Sequence, residues 1–394
     1  MTDSRARLVQ GQVGAGLLRL SAPMIIGISA SIVAGVLEAW YLAQISTLAL
    51  AAYSFTFPVT GALMSLSLGI SIGLSSVLAR TVGEGGEAGI KRLASDGISL
   101  AALVMLTVAL LGSLTVDPLF TLLGADHSTL PMIRDYMVIW YVSMVFMAVP
   151  SVGANAMRAT GDARISGTIM LAGSVLQMLL GPLLIFGLFG LPALGLMGAA
   201  LATLIARALL FVITLLILHY REHLLDYTRL TLAAVWDSWR RILAVSIPAT
   251  ATNLIGPIST AIVVSLLASY SQETVAGFGI ASRIESMFVI PLFALSASIG
   301  PFVGQNWGAG RRDRANDAMK LAFKCSLAWG ALVALALAVF RHELAVLFDE
   351  DPQVIETAAR YLLIVPISYG TWGLLMMASA TFNSLGRPIS STIM

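Results

Sequence analysis

Residues 17–44 read LLRLSAPMIIGISASIVAGVLEAWYLAQ. About 20 predominantly apolar residues suffice to cross a bilayer as one helix, and such runs recur down the chain. They lie near 17–43, 51–79, 93–116, 131–157, 165–189, 193–218, 242–270, 275–303, 317–340 and 354–383. No other feature constrains the fold as much. In hydrocarbon each backbone amide must find its partner inside the protein, which leaves helices or closed barrels. The alternation of a membrane barrel is missing from every run, so the expectation is an all-α integral membrane protein of ten spans. Composition agrees: 58% of the 394 residues are hydrophobic and 11% charged, against about 25% charged in soluble domains. The polar lead MTDSRARLVQGQVGAG does not read as a cleavable signal peptide, since a spanning run follows it.

The basic residues orient the spans. Arg5 and Arg7 precede the first; Arg80, Lys91 and Arg92 follow the second; Arg158 and Arg164 follow the fourth. Arg221, Arg229, Arg240 and Arg241 follow the sixth, and Arg311, Arg312 and Arg314 the eighth. Odd connections such as GADHSTLP and DEDPQ are acidic, with Arg341 the main exception. Cytoplasmic loops collect Lys and Arg, so the expected location is a cell membrane, a bacterial inner membrane by type, with the N-terminus cytoplasmic.

The chain also repeats itself. LSAPMIIGISASIV (20–33) matches VSIPATATNLIGPI (245–258), pairing Pro23 with Pro248 at an offset of 225. ALAAYS (49–54) matches TVAGFG (274–279), and MRATGDARISGTI (157–169) matches FNSLGRPISSTIM (382–394), both at 225. SIGLSSVLARTVGEGGEAG (71–89) matches SIGPFVGQNWGAGRRDRAN (298–316) at 227. A full repeat holds six spans, an even number, so both copies enter from one side. Parallel repeats of this kind are related by a pseudo-two-fold axis along the membrane normal, with substrate sites near their interface. The expected division is an N-lobe at 1–219 (spans one to six), a cytoplasmic linker at 220–241 and a C-lobe at 242–394 (spans seven to ten). The second copy stops at Met394, the counterpart of Ile169, two helices short of a symmetric plan.

Several chemistries are set aside. The single Cys325 allows neither an internal disulfide nor a thiolate cluster, and His219 and His223, four apart, lack a carboxylate or cysteine partner. No metal site or cofactor is expected. The G-x-G-x-x-A of Gly83 to Ala88 follows a membrane span and not a buried strand, so it is no dinucleotide loop. GPFVGQNWGAGRRDRAND (300–317) reads as a bend whose glycines allow close helix approach and whose arginines hold it inside. No nucleic-acid partner is implied, and a monomer in contact with lipid is expected.

At VGQNWGAGRRDRA, GFGIASRIESM, MRATGDAR and GLMGAALATLIAR the chain resembles the multidrug and toxic compound extrusion (MATE) family of secondary transporters. The resemblance implies a two-lobed helical exporter of drugs or other amphipathic or cationic compounds, V-shaped around a central cavity. It implies coupling to proton or sodium entry, and no enzymatic activity.

An ionisable group inside a span costs roughly 2.5–3.5 kcal/mol even on the lenient scale, and so defaults to a functional hypothesis. Glu38 and Glu285 qualify. Glu38 lies fifteen residues after Pro23, where the resembling family usually has an aspartate. Burial disfavours the charged form of a carboxyl, which suits a group that loads and releases a proton. Glu38 is therefore expected to be the coupling acid; its rival reading is a structural carboxyl satisfied by hydroxyls. Glu285 is placed within a turn of the outer end of span eight, two residues after Arg283, with packing or gating favoured over a direct role. The family pattern N-x-x-L-D-P in span five is replaced by QMLLGP, with Gln177 at the asparagine and Gly181 at the aspartate. Gly256 stands where one branch has an acid in span seven, and span ten is read as bare of acid. These losses argue against a sodium cage, because hard cations want several oxygen ligands. Thr203 and Asn155 match family positions near the N-lobe cavity, each equally readable as interhelical glue. Methionine and aromatic residues such as Met144, Trp140 and Tyr141 suit an adaptable cavity, but belts and packing explain most of them.

The nearest rival is a lipid or lipid-linked oligosaccharide flippase of similar build. Its cavity would carry several cations, whereas the spans are read as offering little beyond Arg283. A membrane enzyme would need a cluster of reactive side chains, and none is legible.

Overall fold

The structure, a computed structural model, describes residues 7–127, 129–226 and 231–393; Arg5, Arg229 and Met394 lie outside them. Among the described residues there is no strand. The helices are α1 (Val13–Ile45), α2 (Thr47–Glu84), α3 (Glu87–Leu114), α4 (Val116–Leu122), α5 (Leu130–Ala159), α6 (Ala163–Phe186) and α7 (Gly195–Leu216). They continue with α8 (Leu232–Ala268), α9 (Gln272–Phe288), α10 (Ile290–Gly308), α11 (Arg312–Val346), α12 (Pro352–Ile364), α13 (Tyr369–Ser384) and α14 (Pro388–Ile393). Nine are long and apolar enough to span, counting Pro352–Ser384 as one; α9 and α10, bent by 47°, make a tenth.

Local chemistry sets the boundaries. Ser46, Asp162, Ser271 and Asp351 cap α2, α6, α9 and α12, each side-chain oxygen accepting from a backbone N–H of the first turn. α8 begins ten residues ahead of the expected start of span seven, because LAAVWDSWRR continues the helix into what reads as linker. The remaining difference lies in the C-terminal half. Span eight breaks at Val289, just ahead of Pro291, and span ten turns through a short 3-10 segment, Val365–Ser368, containing Pro366. Proline has no N–H to give to the preceding turn, so both breaks fall where the ladder is interrupted. Glu356, overlooked when span ten is read as acid-free, stands on α12 near its exposed end, paired with Arg360 at 2.7 Å.

The repeat is visible in the backbone. Gly85 and Gly310, 225 residues apart, both take positive φ (84° and 73°), and so do Gly161 and Gly386 (91° and 74°). Only glycine enters this region without strain, and here it turns the chain back after matching helices. Side chains match as well. Tyr53 meets Tyr136 edge to face at 5.7 Å, and their counterparts at the same offset, Phe278 and Tyr361, meet edge to face at 5.5 Å.

Buried apolar side chains gather in three clusters. One fills the bundle of α1 to α7, around Leu42, Leu74, Met137 and Met144. A second joins α9 to α13, around Ile284, Leu337 and Leu362. The third ties Leu8, Leu17 and Leu20 to Phe302, Val303 and Met377, joining the two halves at the face that carries the start of the chain, here the N-terminal face. Leu18, Leu110 and Leu335 point outward and exposed, as lipid requires.

The stretch 300–317 lies at that seam. A Cβ on Gly308 would meet the Arg80 carbonyl oxygen at 2.2 Å, and one on Gly304 would meet Ala79 at 2.7 Å, so α2 and α10 touch backbone to backbone. Its polar side chains grip residues 8–11. Leu8 N–H donates to Gln305 Oε1 at 3.1 Å, and Gln305 Nε2 donates to the Ala159 carbonyl at 2.5 Å. Asn306 donates to the Leu8 carbonyl, Arg311 to Val9 and Arg314 to Gly11, at 2.8–3.1 Å. The arginines thus hold the N-terminal strap across both halves, a role beyond orienting the loop.

Candidate functional site

Each span-borne acid has found partners. Glu38 projects from α1 into the interior of the first bundle, where Gln177 Nε2 on α6 donates to its Oε2 at 2.8 Å. The same nitrogen reaches Thr203 Oγ1 on α7 at 3.4 Å. The hydroxyl of Tyr53 on α2 lies against the same carboxyl, and Tyr136 on α5 stacks on Tyr53. Beside the carboxyl is a hollow of about 10 Å³ lined by Ala34, Tyr41, Gln177 and Gly181, room for a single water. Where the family pattern has an aspartate, the absent side chain at Gly181 leaves this space against the Tyr41 ring.

Glu38 takes hydrogen bonds from the Gln177 amide N–H and the Tyr53 hydroxyl. Such donors suit a carboxylate anion. Among the described residues no three His, Cys, Asp or Glu side chains gather as a metal site.

The structure brings Glu38, Gln177 and Thr203 together and places Asn155 elsewhere. Asn155 sits near the N-terminal-face end of α5, where Nδ2 donates to the Ser151 carbonyl at 2.8 Å and Oδ1 accepts from Arg158. Arg158 is a correction: counted as a loop residue, it is 7% exposed in the last turn of α5. It donates to Ser166 Oγ at 2.7 Å and touches the Met24 sulfur.

Arg207 is the larger omission. It lies inside α7, one turn beyond Thr203 on the same face, donates to Ser143 Oγ at 2.8 Å and stacks over Trp140 at 5.3 Å. The reading that the spans hold little cationic beyond Arg283 is therefore wrong; Arg283 itself is exposed. The signal was present in GAALATLIARALL, where an arginine in mid-span deserved the scrutiny given to the acids. For Tyr53 and Tyr136 no comparable signal existed, since tyrosines are ordinary in spans.

Glu285 forms a separate site. It lies at the break between α9 and α10, not near the outer end of the span, and its Oε2 accepts from Tyr361 Oη at 2.6 Å. Tyr369, across the break in span ten, is buried nearby, but its hydroxyl has no hydrogen-bond partner among the described residues.

The comparisons follow this geometry. The family model MatE matches residues 23–183 and 248–394, which are the two repeats. A protein of Shewanella oneidensis named FAD transporter is 36% identical over 99% of this chain and 86% of its own length. The probable multidrug resistance protein YoeA of Bacillus subtilis is 26% identical over 88% of this chain and 75% of its own. Among solved structures, the Vibrio cholerae MATE transporter VcmN in its bent form superposes with a TM-score of 0.90 at 26% identity, over 99% of this chain and 87% of that one. An outward-facing MATE multidrug transporter superposes at 0.93 with 24% identity, over 100% and 87%, a likeness of fold. Two matched repeats, ten spans and this likeness along nearly the whole length make the chain a multi-pass membrane protein and a member of the MATE family of secondary transporters.

Proposed function

We propose that the protein exports an amphipathic organic compound in exchange for protons, with Glu38 as the group that loads and unloads the proton. The observation carrying this is the shell of hydrogen-bond donors around a lone carboxyl beside a water-sized hollow. A proton needs one carboxylate and a water path; sodium needs an oxygen cage. Gln177 and Thr203 orient the carboxyl, and Glu285 serves the C-terminal half through Tyr361. The basic N-terminal face is the cytoplasmic one, as the distribution of Lys and Arg requires, in a bacterial inner membrane.

For cargo, the flavin dinucleotide carried by the Shewanella relative is the first compound to test, because that likeness runs through nearly the whole chain. A multidrug range is the second reading, supported by the names of the more distant relatives. The driving force is adequate. One entering proton gains about 2.3 kcal/mol per 100 mV and about 1.36 kcal/mol per unit of pH difference. Expelling a neutral solute against a hundredfold gradient costs roughly 2.7 kcal/mol.

The test is export by purified protein in liposomes under an imposed pH gradient, in sodium-free buffer, with flavin adenine dinucleotide and a cationic dye offered separately. Export of either that stops on adding a protonophore is the expected result. Export that runs only when sodium is supplied would overturn the proton assignment.

A further inference from the structure

A guanidinium inside a helix bundle in hydrocarbon needs a reason. Arg207 touches a hydroxyl, a thioether sulfur and an indole ring, none of them anionic. The acid it faces through its own helix is Glu38: Thr203, one turn earlier on α7, shares the Gln177 amide with that carboxyl. The two sit on facing stripes of α7 and α1, connected through Thr203 and Gln177. Ser143 and Trp140, both on α5, fix the guanidinium from the other side, so its position does not depend on ion-pair contact with the carboxyl.

We propose that Arg207 is the fixed counter-cation of Glu38, a positioning residue that lets the carboxyl give up its proton inside the bilayer. This rests on the reading of Glu38 as the coupling acid. Release breaks the O–H bond of the Glu38 carboxyl and passes the proton to water in the adjoining hollow. The carboxylate left behind is compensated by Arg207, which is already in place. The pair therefore alternates between one positive charge when loaded and none when empty. Without the guanidinium it would alternate between zero and one negative charge, and a lone buried anion is strongly disfavoured.

The other groups around Glu38 do not supply that charge. Tyr53 on α2, Tyr136 on α5 and Tyr41 on α1 itself are phenols, and α6 contributes the neutral Gln177. α10 and α11 meet α1 near Gly16 and Gly14, about six turns from position 38. Arg207 is the cation of this cluster among the described residues.

The experiment is the pH profile of flavin or cationic-dye export, whichever the wild type performs, in Arg207→Gln, Arg207→Lys and Glu38→Gln. Removing a nearby cation makes the carboxylate less favourable, so release needs a higher pH. Arg207→Gln should move the profile in the alkaline direction by about 1–3 pH units, and Arg207→Lys should restore it toward the wild type. A wild-type profile in Arg207→Gln overturns the proposal while leaving Glu38 in its role. Uphill export by Glu38→Gln at the wild-type rate overturns the coupling assignment instead. Should Arg207→Gln be inactive at every pH, a double-mutant cycle of melting temperature with Glu38→Gln decides. Coupling between the positions that is present above the profile midpoint and lost below it supports the counter-cation; zero coupling at both overturns it.

Discussion

The two halves of the molecule keep the same aromatic pair beside a carboxyl, Tyr53 with Tyr136 in one and Phe278 with Tyr361 in the other, yet they deliver the acid and its phenol differently: Tyr53 meets Glu38, whereas Tyr361 meets Glu285. In the N-terminal half Glu38 comes from α1, lies among unbroken helices and shares the interior with Arg207. In the C-terminal half the acid comes from span eight, and Val263 stands at the counterpart of position 38. Glu285 sits where one broken span faces another, with Pro291 and Pro366 at the breaks. Tyr369 occupies the counterpart of Met144, so a second phenol replaces a thioether. Among the described residues no guanidinium pairs with this acid, and Arg283, two residues away, is exposed. The difference teaches that duplication preserved the scaffold and the aromatic pair while the charges diverged. One half keeps a carboxyl in a bundle that also holds an arginine; the other keeps a carboxyl tied to the Tyr361 phenol at a hinge-like break.

That contrast can be broken. The largest effect is expected from Glu38→Gln, which should reduce proton-driven export in liposomes to the level of protein-free vesicles. Glu285→Gln should retain measurable uphill export. Equal losses in the two variants would erase the distinction between the halves. Next comes the seam. Gly308→Ala forces a methyl against the Arg80 carbonyl, and overpacking of this kind costs about 1–3 kcal/mol, visible as a lowered melting temperature in detergent. A neutral result would mean that the halves are not held at this contact.

Smaller again is the loss of one phenol hydroxyl. Tyr361→Phe removes the hydrogen bond to Glu285 and should cost about 1 kcal/mol; the decrease should vanish in a Glu285→Gln background. Tyr53→Phe should act instead through Glu38, changing the pH profile of export more than the melting temperature. At the bottom of the scale, Asp117→Asn removes the half-exposed pair with Arg134. Its effect should stay below about 1 kcal/mol, with export unchanged.

Much of this was legible in the chain. Ten apolar runs, the doubled order of motifs and the importance of Glu38 and Glu285 follow from periodicity and from the cost of charge in hydrocarbon. Glu38, Gln177 and Thr203 were all named from sequence, and they meet. Asn155 was named for the same cavity and lies apart with Arg158, because a family position says nothing about which turn of a helix reaches which neighbour. Arg158 was read as a loop residue because helix ends resolve poorly in sequence, and two more residues of α5 carry it into the bundle, out of water.

The sequence alone determined that this chain must be a bundle of membrane helices in two related halves, since lipid leaves the backbone no other way to satisfy itself. Which side chains converge was decided by tertiary structure. Gln177 lies 139 positions from Glu38, and Arg207 comes from yet another helix. Their meeting depends on how α1, α6 and α7 rotate and cross. Those angles are set by packing across the whole bundle, which no local pattern encodes.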